Sequence, residues 1–129
     1  MTDSIPVGAV GTRTWIVDST RTIQRGPAEV FSTPNMVLLM EEAAMDALSP
    51  FITTSQETVG STVDVAHVAA TPVGMTVTAT ATVTEVDRRR VAFEVEARDE
   101  VEVIGRGTHE RFVIELDPFV ARLAKKNQK

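Results

Sequence analysis

The chain has 129 residues, 43% hydrophobic and 24% charged, and its 13 basic against 18 acidic side chains leave a net charge of −5. A chain of this length makes one domain that buries roughly two-thirds of the surface its extended form exposes, so residues 1–129 are expected to fold as a single unit. With no cysteine there is no disulfide framework, thiolate nucleophile or cysteine-based metal site, and an acidic chain lacking Tyr matches nucleic acid poorly.

Residues 1–11 read as an N-terminal arm with neither the basic flank nor the apolar run of a signal peptide. No stretch approaches the roughly 20 apolar residues of a membrane span. The expectation is a cytoplasmic protein with no membrane partner. After a turn from Pro6 to Gly11, Thr12 to Val17 reads as a strand and Arg21 to Gly26 as a second strand or an extended arm.

A long helix is predicted over 33–48. Ser32 and Thr33 are capping residue types, Pro34 suits the first turn, and Ser49-Pro50 ends the run. Asn35, Leu39, Glu42, Asp46 and Ser49 recur at steps of three and four and are expected to face solvent. Glu41 instead shares a stripe with Val37, Ala44 and Leu48, which sets a carboxylate among side chains facing a core or a partner. Burying it unpaired costs several kcal/mol, so Glu41 should have a partner.

From Thr58 to Leu116 the period changes to two. Val63, Val65, His67 and Ala69 form one row, and Thr71-Pro72-Val73-Gly74 makes a turn. Met75, Val77, Ala79, Ala81 and Val83 alternate with five threonines, the mark of an antiparallel strand with one wet face. Asp87-Arg88-Arg89-Arg90 reads as a hairpin tip, Val91 to Ala97 as the return strand, and Val101 to Leu116 as a last strand bent near Gly105 or Gly107. Residues 118–129 read as a short helix with a basic tail. One helix followed by tightly connected strands excludes a doubly wound parallel sheet. It predicts an α+β fold, a curved antiparallel sheet wrapped around one long helix, whose free edge and face invite a second copy.

His67, in an apolar row, is either a core histidine bonded to backbone or a proton-transfer group. Thr33 either caps the helix or stands beside an oxyanion site formed by free amides at the helix start. Thr33 and Glu41 are eight residues apart, about 12 Å along a helix, so a third group, a substrate or a second subunit must link them. Arg88, Arg89 and Arg90 read as a solvated tip or a phosphate contact. Gly105-Arg106-Gly107 lies in a strand and is no dinucleotide fingerprint. Arg111 shares a face with His109 and Val113 and reads as half of an ion pair.

Three segments resemble the hot-dog-fold acyl-CoA thioesterases, in particular the fluoroacetyl-CoA thioesterase group: Glu29-Val30-Phe31-Ser32-Thr33 running into Leu39-Met40-Glu41; Val65-Ala66-His67 through Val73-Gly74; and Ile104-Gly105-Arg106-Gly107-Thr108-His109-Glu110-Arg111. The resemblance covers roughly Val30 to Leu116. It implies a hot-dog homodimer with acyl-CoA between the subunits, hydrolysis of a thioester without cofactor or metal, Thr33, Glu41 and His67 as catalytic residues, and Gly60 and Arg111 lining the acyl site. Selective members carry bulky aromatics just upstream of the Glu-Val-Phe segment. Gln24-Arg25-Gly26-Pro27 offers none, so the fluorinated substrate is not carried over. Two other readings keep the fold: a hot-dog enoyl-CoA hydratase, which would join Asp64 to His67 although three strand positions put them on opposite faces, and a non-catalytic acyl-CoA or hydrophobic-ligand binding module.

Overall fold

The computed structural model describes residues 4–128, so the first three residues of the expected arm and the last of the tail lie outside the described residues. The chain runs β1 (Val10–Ile16), β2 (Thr22–Arg25), β3 (Ala28–Phe31), α1 (Thr33–Leu48), β4 (Gln56–His67), β5 (Thr76–Asp87), β6 (Arg90–Arg98), β7 (Val103–Glu115) and α2 (Leu116–Lys126). Five strands form one antiparallel sheet in the order β1-β5-β6-β7-β4, and β2 and β3 make a separate hairpin. The segment read as one strand or an arm is thus the first half of a hairpin that turns at Gly26 in the left-handed region (φ 58°), a conformation glycine adopts without strain.

The alternation seen in the sequence sets the two faces of the sheet. Val77, Ala79, Ala81 and Val83 of β5 and Val91, Phe93, Val95 and Ala97 of β6 are buried against α1, while the intervening threonines and glutamates face outward. Strand β4 is an edge, and its pairing with β7 slips by one residue between Gly60 and Thr62. The pairing of β7 with β6 slips by one residue beside Gly105, between the Ala97–Gly105 and Arg98–Val103 pairs, an irregularity where a bend was expected, while no shift marks Gly107. Both glycines also make room: a Cβ at 105 would collide with Met36 of α1, and one at 107 with the backbone of Asp64 and Val65.

Helix α1 occupies the predicted range and packs almost backbone to backbone on β1. A Cβ at Gly11 would overlap the Ala43 carbonyl and the Ala47 nitrogen, and Ala43, Ala44 and Ala47 supply the matching small surface. Arg13 of β1 fixes the rotation of the helix, donating from Nε and Nη2 to Asp46 at 2.8 and 2.7 Å and from Nη1 to Glu42 at 2.8 Å. Glu42 and Asp46 therefore lie against the sheet edge, and Leu39, placed on the wet strip from its spacing, is 0% exposed. The open face carries Pro34, Leu38, Met45 and Ser49, with Leu38 and Met45 more than 40% exposed. Helix α2 buries no residue.

Candidate active site

Two polar groupings lie along α1. The first is at its start, where Ser32, not Thr33, is the cap: Ser32 Oγ accepts from the Asn35 N–H at 3.4 Å and from Asn35 Nδ2 at 2.7 Å. Thr33 is released from the capping role expected of it, and its Oγ1 lies 2.7 Å from His67 Nδ1. Of the first four amide positions, Pro34 has no N–H, that of Asn35 goes to the cap hydroxyl and that of Met36 to the Ser32 carbonyl. Among the described residues the Thr33 N–H is left as the free donor of the turn, at the positive end of the helix dipole.

His67 closes β4, and aromatic packing sets its ring. It meets Phe31 edge to face with centroids 6.5 Å apart, Phe31 meets Trp15 in the same way at 6.5 Å, and the Arg21 guanidinium lies 3.8 Å from the Trp15 ring centroid. Burial pushes the imidazole below its ordinary value, with the Ala69 backbone opposing the shift. Its Nε2 is buried and has no hydrogen-bond partner among the described residues, an arrangement that folded proteins usually avoid. The ring lines a cavity of about 330 Å³ together with Ile23, Arg25, Val30, Thr33 and Val68. A larger concavity of about 530 Å³ on the outer face of the sheet, lined by Thr80, Thr82, Glu94 and Arg106 among others, contains no histidine.

The second grouping centres on Arg111, which is only 4% exposed. Its Nε donates to Thr58 Oγ1 and its Nη2 to the Thr58 carbonyl, both at 3.0 Å, and its Nη1 is 3.3 Å from both Glu41 Oε2 and His109 Nε2. His109 Nδ1 donates to the Thr62 carbonyl at 2.8 Å, which leaves Nε2 as the acceptor for Arg111. The His109 ring stacks on Phe93 with centroids 5.8 Å apart, and burial holds its imidazole below the ordinary value. Burial likewise lowers the Arg111 guanidinium, against the pull of Glu41. Gly60 completes the group, because a side chain there would overlap Glu41 Oε2.

The structure thus joins Thr33 to His67, and Glu41 to Gly60 and Arg111, but no hydrogen bond or ion pair links the two groupings among the described residues. Glu41 has the partner its position demanded, and Arg111 has the ion pair its strand face suggested. Asp64 is exposed on the edge strand and makes no hydrogen bond to His67. Arg89 and Arg90 are occupied by Glu115, Glu85 and Glu110 at the hairpin tip. Two contributors escaped the sequence reading. His109 was recoverable from its alternation with Arg111 and Val113, whereas the place of Arg25 depends on how the β2–β3 hairpin folds back over the cavity.

Comparison with known proteins gives a consistent outcome. The model of the fluoroacetyl-CoA-specific thioesterase family matches residues 14–117. The fluoroacetyl-CoA thioesterase of Streptantibioticus cattleyicolor is 39% identical over 135 residues, covering 98% of this chain and 97% of that protein. A phenylalanine-to-alanine variant of a fluoroacetyl-CoA-specific thioesterase, solved with fluoroacetate and CoA, superposes with a TM-score of 0.82 at 40% identity, covering 88% of this chain and 98% of that one. A hot-dog-like protein from Thermanaerovibrio acidaminovorans reaches a TM-score of 0.88 at 25% identity, over 97% and 95% of the two chains. The curved sheet around α1 is a hot-dog fold.

Proposed function

The chain belongs to the fluoroacetyl-CoA-specific thioesterase family and is a thioesterase, and from that premise we propose that it hydrolyses a short acyl-CoA thioester at a site formed by Thr33, His67 and Glu41 between two copies of the chain. The observation that carries this reading is the 2.7 Å contact of Thr33 Oγ1 with His67 Nδ1 beside a cavity at the start of α1, a nucleophile and base within hydrogen-bond reach.

In this scheme the neutral imidazole, favoured by its burial, takes the proton of the Thr33 hydroxyl or of a water as the new C–O bond forms. The oxyanion is met by the free Thr33 amide at the positive end of α1. The C–S bond then breaks, and the imidazolium returns the proton to the CoA thiolate. Where Thr33 is the attacking group, a water deprotonated by the same imidazole then attacks the acyl-threonine ester, the Thr33–acyl bond breaks and the proton goes back to the Thr33 oxygen, releasing the acid. Glu41 and Arg111 sit about 12 Å further along the helix, too far to serve the same carbonyl from the same subunit. A second copy seated along α1 and the edge strand β4 supplies the missing proximity. The apolar Leu38, Met45 and Val63, each more than 40% exposed on those two elements, support such a homodimer.

The test is free thiol release from acyl-CoA esters by the wild type, Thr33→Val, His67→Ala and Glu41→Gln. Each substitution is expected to lower kcat by about 10² or more. Wild-type rates in both His67→Ala and Glu41→Gln would reject the assignment, and saturable binding without turnover by the wild type would make the chain a binding module.

A further inference from the structure

Among the described residues the wall of the Thr33–His67 cavity contains no Asp or Glu, and its single charged residue is Arg25. Of the ten arginines, Arg13, Arg89, Arg90 and Arg111 each hold a carboxylate, and Arg25 is the one without an ion pair among the described residues that lines this cavity. Its Nη1 donates to the carbonyl of the preceding Gln24 at 2.9 Å, and no acidic side chain of the described residues lies within ion-pair distance of it. The residue is not on a loose arm. Ile23 and Arg25 share one face of β2, opposite Val30 and Ala28 of β3. The base of the hairpin is tied to the body by Phe31 N–H to the Thr71 carbonyl at 2.9 Å and by the Val30–Pro72 bridge, its ladder is extended by Ser32 N–H to the Arg21 carbonyl at 3.0 Å, and Arg25 stands in the last pair before the turn. The cavity therefore combines an apolar lining from Ile23, Val30 and Phe31 with the exposed Arg25, which makes no ion pair among the described residues, and the positive end of a 16-residue helix at its base.

We propose that Arg25 is an anion anchor for the substrate, binding a negatively charged oxygen group of the CoA thioester at the mouth of the Thr33–His67 cavity. This rests on the thioesterase reading of that cavity and adds the residue that selects what enters it. A planar guanidinium offers two parallel donors to a carboxylate or a phosphate alike. The anion is therefore either a carboxylate at the far end of the acyl chain or a phosphate of CoA.

The experiment compares the wild type, Arg25→Gln and Arg25→Lys on acetyl-CoA, succinyl-CoA and the acetyl thioester of N-acetylcysteamine, which carries neither phosphate nor carboxylate. Loss of one charge-assisted contact is expected to raise KM about tenfold in Arg25→Gln with little change in kcat, and Lys is expected to restore part of it. A rise on both CoA esters that is absent for the cysteamine thioester identifies the phosphate. A rise confined to succinyl-CoA identifies the acyl carboxylate. An equal rise on all three thioesters, or none on any, overturns the proposal. Should the wild type hydrolyse none of them, the substrate reading fails separately. The anchor is then judged by calorimetric titration of acetyl-CoA and succinyl-CoA, where equal affinity in wild type and Arg25→Gln refutes it.

Discussion

Gly60→Ala probes whether the Glu41–Arg111 pair is a working part of the site. A methyl at residue 60 overlaps Glu41 Oε2 and lies 3.4 Å from Arg111 Nη1. Ordinary contact is recovered when the carboxylate retreats by about 1 Å, and it can do so because it is the end of a flexible side chain. The retreat carries the 3.3 Å contact with Arg111 beyond hydrogen-bond range. Breaking a fully buried pair by deleting one member costs about 3–5 kcal/mol. Here neither charge is deleted and the Glu41 side chain is 30% exposed, so screening reduces the loss to about 1 kcal/mol, or a Tm lower by roughly 3–5 °C. A misplacement of about 1 Å in a reacting constellation costs on the order of 10² in rate. The expected outcome is thus a folded protein, by circular dichroism and thermal melting, whose thiol-release kcat/KM falls by about 10². A Glu41→Ala background separates causes. With the overlapping carboxylate gone, Gly60→Ala should add little, whereas a further large loss would mean that the methyl obstructs the acyl group itself. Wild-type activity in the single variant would refute a role for Glu41 in turnover.

Acid response follows from the two histidines, both held below their ordinary value chiefly by burial. The unfolded chain binds more protons than the folded one between those lowered values and about 6.5, so stability falls as pH drops through that window, seen as a declining Tm from about pH 7 to 5. The same shift keeps His67 neutral in mild acid, placing the acid limb of kcat/KM below about 6.5; a limb above that value would contradict a buried base. Gly11→Val, which drives a side chain into the Ala43 and Ala47 backbone, is expected to cost about 3 kcal/mol or prevent folding. The outward-facing Thr12→Val should stay within about 0.5 kcal/mol of wild type by urea denaturation.

The fold was legible where the sequence supplies both a period and a stop. Ser32-Thr33-Pro34 and Ser49-Pro50 bracket α1 at its observed ends, and the Val/Ala and Thr alternation assigns both faces of β5. The rotation of α1 was not legible, because apolar residues occur on nearly every side of it. What decides it is Arg13, about thirty residues away in sequence, which draws Glu42 and Asp46 toward β1 and turns Leu39 inward. Spacing alone could not tell which of two adjacent hydroxyls caps the helix, and that choice decides whether Thr33 is free to meet His67. Glu41 was marked as needing a partner, but no local pattern reveals a guanidinium 70 positions later.

The pairing of Ser32 with helix capping and Thr33 with His67 has an evolutionary reading. Because the hydroxyl that starts the helix and the hydroxyl that contacts the imidazole belong to different residues, position 33 can be exchanged for serine or cysteine without unravelling the first turn. Drift or design can therefore try new nucleophiles on an unaltered scaffold, which makes this corner of the molecule a natural place for one ancestral architecture to diversify its chemistry.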